Sequence, residues 1–266
     1  MVPGARSGPA PVTWSVTAVE FASIPGFPTR WLVAGADTAR RTDLAMMVWL
    51  LRSSEGRLVL VDAGFDQSAF IEQWHPEHYQ LPDAALRRAG VDPAGITDVI
   101  VSHIHWDHVD GLDRFPQARV WLQRDEYEYY VGAEGEPLHR AIDSLDAARL
   151  YALHREGRLT LVDGDAQEIL PGLTCYTGGR HTWASQYVGV ETPVGTIVVA
   201  SDNAYLYENL EQHRPIAQTL DSLSNLRAQA RMLALAGGVL DHVVPGHDPD
   251  VFRRFPEPGG GVARIE

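Results

Sequence analysis

His103-Ile104-His105-Trp106-Asp107-His108 places three imidazoles and a carboxylate within six consecutive positions. Residues two apart on an extended chain point the same way, so His103 and His105 can face one cation. Asp107 would continue that face, but a turn there swings Asp107 and His108 towards a second cation. Imidazole nitrogens and carboxylate oxygens suit zinc and other first-row divalent metals. The H-x-H-x-D-H spacing therefore predicts a metallohydrolase. Residues 97–102 form a short apolar run ahead of the motif, and Asp110-Gly111 behind it marks a turn. The motif thus sits where a buried strand ends, a common place for ligands in sheet-centred enzymes.

One motif leaves a metal site incomplete. Three further candidates each follow a strand-like run: His181, Asp202 and His247. Gly178, Gly179 and Gly246 beside them permit close backbone approach. His75, His78, His139, His154 and His213 lack partner spacing, and His242 precedes its strand, so all six read as packing or surface residues. Ser185 has no triad context.

The elements that must carry these residues alternate along the chain. Strands are predicted at 12–20, 44–52, 57–62, 97–102, 118–122, 159–162, 173–177, 187–191, 196–201 and 241–244. Helices are predicted at 83–90, capped by Asp83, at 125–131, and at 138–155 with Ile142, Leu145, Leu150 and Leu153 as the apolar face. A further helix at 222–236 would turn Leu223, Leu226, Ala230 and Leu233 inward. The aromatic stretch 65–82 is either a lid over a pocket or plain surface packing, and 256–261 reads as a terminal loop. Strands in both halves interleaved with helices indicate one α/β domain over residues 1–266, with two stacked sheets and helices outside.

The bulk numbers narrow the partners. The 266 residues are 45% hydrophobic, ordinary for a globular protein, and carry a formal net charge of −13 with no basic run. Nucleic acid and anionic membrane are therefore not expected partners. Cys175 is the sole cysteine, which excludes an intrachain disulfide and a thiolate cluster. It is expected to be a small buried apolar residue. No apolar run reaches the length of a membrane span. Residues 1–11 read as a flexible tail without an apolar signal core, so a cytoplasmic protein is expected.

Asp62 in Val61-Asp62-Ala63-Gly64, the 103–108 motif, His181, Asp202 and His247 match in order the five motifs of the metallo-β-lactamase superfamily, which residues 44–248 resemble. The resemblance implies a four-layer αββα sandwich of two mixed sheets, with a dinuclear site at one sheet edge. It implies that His103, His105 and His181 hold one metal, Asp107, His108 and His247 the other, that Asp202 bridges them, and that Asp62 supports a ligand. Zinc is expected, with Mn, Co or Fe as substitutes.

Tyr205, three residues after Asp202, and the following Tyr207-Glu208-Asn209-Leu210 resemble the N-acyl homoserine lactonase branch, where that phenol hydrogen-bonds the substrate carbonyl. The implied activity is ring opening of a lactone by a hydroxide held between two metals, that is, quorum quenching. Tyr205 and Asp107 would be the catalytic pair, a small lactone or ester the substrate, and a homodimer a possible assembly. A thioesterase of the hydroxyacylglutathione type, or another ester or phosphotriester hydrolase, is the alternative. The chain departs from the pattern at Arg180, which stands between Gly179 and His181 where a Gly-His pair is usual.

Overall fold

The computed structural model describes residues 11–257 and 260–265. The expected tail at 1–11 lies outside them except for Pro11, which is exposed. A seven-stranded sheet collects β1 (Trp14–Pro28), β2 (Arg41–Ser53), β3 (Leu58–Val61), β4 (Ile96–Ile100), β5 (Arg119–Gln123) and β6 (Leu159–Val162). The second sheet holds β7 (Gln167–Leu170), β8 (Leu173–Thr177), β9 (Gln186–Thr192), β10 (Gly195–Ser201) and β11 (Val243–Pro245), while β12 (Val262–Arg264) returns to the first. The strand orders are β12-β1-β2-β3-β4-β5-β6 and β11-β10-β9-β8-β7. Both sheets are mixed: β3 to β6 run parallel, as do β10 and β11, and the other pairs are antiparallel.

β2 shows why the sheets stack. Its apolar run Leu44-Ala45-Met46-Met47-Val48-Trp49-Leu50-Leu51 is buried throughout. Leu44, Met46, Val48 and Leu50 face one core, and Ala45, Met47, Trp49 and Leu51 face another. A strand buried on both faces loses the usual polar alternation. The second core joins the two sheets, with Trp49 and Val61 meeting Cys175, Val188 and Val198. The first core lies beneath helices on the outer face of the seven-stranded sheet.

The helices are α1 (Ser68–Trp74), α2 (Pro82–Arg88), α3 (Trp106–Val109), α4 (Arg124–Tyr130), α5 (Ser144–Arg155), α6 (Tyr207–Glu211), α7 (Ser222–Leu235) and α8 (Asp250–Arg254). None is long and apolar enough to cross a membrane among the described residues. Helices therefore flank both sheets, as in the four-layer sandwich.

Several expectations need correction. Leu81, not Asp83, occupies the cap position of α2; Asp83 sits in the first turn and pairs with Arg87 at 2.6 Å. α5 begins only at Ser144, because the Asp143 side chain caps it by accepting from Leu145 N, and Leu145 is 58% exposed. α7 turns the other way: Asn225, Ala228, Gln229 and Met232 are buried, whereas Leu223 is exposed. Asn225 and Gln229 are admitted because both make internal hydrogen bonds, Asn225 to Asn203 O and Gln229 to Arg214 O. β1 outruns its expected end, and its register on β2 shifts at irregularities between Glu20 and Ala22 and between Ile24 and Phe27. A 3₁₀ turn at Leu240–His242 occupies the start of the expected last strand. Beyond the expected terminal loop, β12 adds an edge strand on β1.

Candidate metal centre

Each candidate ligand emerges where a strand ends. His103 and His105 follow β4, His181 follows β8, Asp202 follows β10 and His247 follows β11. α3 starts immediately after His105, and its turn redirects Asp107 and His108 away from the direction of His103 and His105. The seven side chains form two groups: His103, His105, His181 and Asp202 in one, and Asp107, His108 and His247 in the other. None of the other six histidines joins either group.

Asp202 also lies beside the second group. Its Oδ2 lies 3.2 Å from His181 Nε2 and 3.6 Å from His103 Nε2. Its Oδ1 lies 3.0 Å from His247 Nε2 and 3.4 Å from His108 Nε2. His105 Nδ1 stands 3.0 Å from His103 Nε2 and 2.9 Å from His181 Nε2. Asp107 Oδ2 stands 3.5 Å from His108 Nε2 and 3.6 Å from His247 Nε2. Ligands about 2.0–2.1 Å from a tetrahedral centre are separated by edges of roughly 3.3 Å. Both groups have that size. His108 Nε2 and Asp202 Oδ1 are moreover buried without a hydrogen-bond partner, a costly state that a cation relieves. The residues therefore fit two divalent metal ions.

The opposite ring nitrogens are already engaged. His108 Nδ1 lies 2.7 Å from Asp62 Oδ2, His181 Nδ1 2.7 Å from Gln218 O, and His247 Nδ1 3.1 Å from Ala45 O. Each oxygen accepts the Nδ1 proton and leaves the Nε2 lone pair facing inward. Asp62, fully buried, also accepts from Ser102 N, Ser102 Oγ and Ser201 Oγ.

The electrostatics divide along the same line. Burial, with neighbouring imidazoles, drives His103 well down and takes His105 to about 3. Burial also opposes protonation of His108 and His247, yet nearby carboxylates, Asp107 and Asp202 above all, raise both. Burial would raise Asp202 and Asp107, but the facing imidazoles outweigh it and hold both down. The centre thus draws positive charge, and divalent cations meet that demand.

The backbone is strained around the centre. Asp62, Arg180 and Ser201 adopt φ of 61°, 58° and 46°, each costing on the order of 1–3 kcal/mol. Two of them immediately precede His181 and Asp202. Arg180 thus takes the left-handed turn a glycine would favour, and its guanidinium lies 4.5 Å from the Trp183 ring centroid. Gly246 has no room for a side chain, since a Cβ would come within 2.8 Å of Asp202 Oδ1.

A cleft of about 250 Å³ opens on the two groups. His105, Asp107, Asp202, Tyr205 and His247 line its floor, and Phe27, Trp31, Trp74 and Trp106 line its walls. Tyr205 Oη is 3.3 Å from His181 Nδ1. Burial, then the Asp202 and Asp107 charges, raise this phenol well above its ordinary value, so it remains a donor. The 65–82 stretch proves to be a wall: it contains α1, and Trp74 stacks on Trp106 at 5.8 Å with planes 5° apart. Asp110 anchors it. The carboxylate, expected only as a turn marker, is fully buried and accepts from Asp66 N at 2.7 Å and Gln67 N at 2.8 Å. Sequence reasoning also passed over Ser102 and Ser201, although each directly precedes a ligand, and Glu126, which carries no motif. Cys175 is buried as expected, and burial raises its thiol to about 12.

Comparison with known proteins agrees with this geometry. The family model "Metallo-beta-lactamase superfamily" matches residues 41–247. The N-acyl homoserine lactonase AttM of Azorhizobium caulinodans is 30% identical over 194 residues, 66% of this chain and 67% of the relative. The N-acyl homoserine lactonase AiiA of Bacillus thuringiensis subsp. kurstaki is 30% identical over 190 residues, 66% and 70% of the two chains. A crystal structure of a B. thuringiensis AiiA mutant with N-decanoyl-L-homoserine bound superposes with a TM-score of 0.73 at 24% identity, covering 93% of this chain and 99% of the other. Fold, ordered motifs and matched length lead to one conclusion: the chain belongs to the metallo-β-lactamase superfamily.

Proposed function

We propose that the protein is a two-metal lactonase that opens the ring of an N-acyl homoserine lactone, with zinc as the resident metal. The observation that carries the reading is an aromatic cleft lined by members of both ligand groups, His105 and Asp202 of one and Asp107 and His247 of the other, together with Tyr205. The curated relatives AttM and AiiA are N-acyl homoserine lactonases, which favours a lactone over a thioester or phosphotriester. His103, His105 and His181 would hold one ion, Asp107, His108 and His247 the other, and Asp202 would touch both. Bound there, the ions would supply a water acidified from about 15.7 to about 7 and polarise the carbonyl.

The chain's own groups do the rest. Phe27, Trp31, Trp74 and Trp106 give an acyl chain apolar surface and leave the lactone ring over the floor. Tyr205 donates to the carbonyl oxygen as negative charge gathers there, a contact worth roughly 3 kcal/mol. Asp107, which as a ligand of the second ion would be ionised, takes the proton that the attacking water gives up and returns it to the leaving alkoxide as the ring C–O bond breaks. Tyr205 and Asp107 are thus the catalytic groups.

The test is elemental analysis of the purified protein beside a pH-indicator assay on lactones of increasing acyl length and on a thioester. The reading expects two zinc ions per chain and lactone turnover above thioester turnover. Turnover of the thioester alone would refute it.

A further inference from the structure

We infer that Glu126 is a positioning residue that assembles the His103, His105 and His181 group alone, by tying together two ligand loops that come from different sheets. The inference rests on the two-metal reading. Glu126 is fully buried on α4, a helix that supplies no ligand. Its Oε1 accepts from Ile104 N at 3.3 Å and from Thr182 Oγ1. Its Oε2 accepts from Ala184 N at 2.6 Å. Ile104 lies between His103 and His105 on the loop leaving the seven-stranded sheet. Thr182 follows His181 on the loop leaving the five-stranded sheet. One carboxylate therefore spans the seam at the point where three imidazoles must converge. One turn later, Tyr130 Oη accepts from Trp183 N at 3.2 Å and holds the second loop to the same helix.

The other group has separate supports. Asp62 accepts from His108 Nδ1 and Ala45 O from His247 Nδ1, and neither touches Glu126. Burial raises the Glu126 carboxyl to about 7. Glu126 thus bonds only the loops of the first group, whereas Asp62 bonds His108 of the second group directly and reaches His103 of the first only through Ser102, whose Oγ lies 2.9 Å from His103 Nδ1.

Glu126→Gln separates this role from general packing. The amide keeps the shape, but if its oxygen serves Ile104 N and Thr182 Oγ1, its NH₂ meets the Ala184 N–H, donor against donor. Protein loaded with zinc is titrated with a chromophoric chelator, and the two affinities are read stepwise. E126Q is expected to weaken one ion by about 10–100-fold and to leave the other within about threefold. Thr182→Val, which loses one hydrogen bond, is expected to weaken the same ion by about threefold to tenfold. T182V provides the reading if E126Q does not fold. Asp62→Asn is expected to weaken chiefly the other ion, because Asp62 bonds His108 directly and touches His103 only through Ser102. The E126Q/D62N double variant should then hold neither ion at a chelator concentration that strips one from each single variant. Equal weakening of both ions, no weakening, or loss of the same ion in T182V and D62N overturns the inference. Wild-type protein that binds no ion instead refutes the two-metal reading, and the inference with it.

Discussion

Asp62→Asn tests how the fold selects the metal-binding face of His108. The change is nearly isosteric but removes half the acceptor capacity of a fully buried group that serves four donors: His108 Nδ1 at 2.7 Å, Ser102 N at 2.7 Å, Ser102 Oγ at 2.9 Å and Ser201 Oγ at 3.1 Å. The asparagine oxygen can keep Ser102 N, and the two hydroxyls can turn to accept from the new NH₂. His108 cannot turn. Its Nδ1–H would face an N–H, which leaves a buried donor unpaired at about 1–3 kcal/mol. Alternatively the proton moves to Nε2, the atom that stands 3.4 Å from Asp202 Oδ1 and 3.5 Å from Asp107 Oδ2, and the second group loses a lone pair. Either route weakens the second ion by about 10–100-fold, which is about 1.4–2.8 kcal/mol and matches the unpaired-donor cost. Chelator competition measures the affinity, and lactone turnover at limiting zinc should fall in step with occupancy. Folded D62N protein that binds both ions within twofold of wild type would refute the reasoning, because packing alone would then hold the ring and its tautomer.

Tyr205→Phe should lower kcat by about 10²–10³-fold with both ions retained; a kcat within threefold of wild type would remove the phenol from the mechanism. Trp74→Ala removes a cleft wall stacked on Trp106 and should raise KM for a hexanoyl lactone about tenfold, in keeping with partial loss of about 1.5–3 kcal/mol of apolar burial, while sparing metal content; unchanged KM across chain lengths would place the acyl chain elsewhere. Burial, then the Asp110 charge, raises Asp146 from 3.8 to about 8. The folded state therefore binds the extra proton between those values, and its stability falls as pH rises through that window. The slope approaches one proton, about 1.4 kcal/mol per pH unit, and Asp146→Asn should flatten it in denaturant titrations from pH 5 to 7; an unchanged slope would assign the proton to another group.

Candidate ligand residues were legible because metal chemistry admits few side chains and strand ends repeat in the chain. H-x-H-x-D-H states its own geometry, and His181, Asp202 and His247 each follow an apolar run. The strands were legible for a different reason: β2 is apolar on both faces, as a strand lying between two cores must be. What failed to show was polar burial. α7 was turned the wrong way because Asn225 and Gln229 face inward, and their inward placement depends on Asn203 O and Arg214 O, which lie nearby only once the chain is folded. Asp110 read as a turn residue and Glu126 was passed over, since a carboxylate that caps loop N–H groups has the same letter as one in water. These two acids and Asp62, which the resemblance had already marked as a support, share a logic that the ligands do not reveal. Asp62 and Glu126 reach the ligand loops themselves, and Asp110 holds the aromatic wall through Asp66 N and Gln67 N. Metal ligands can then sit on loops leaving separate sheets, because buried carboxylates outside the ligand set hold those loops and the cleft wall in place.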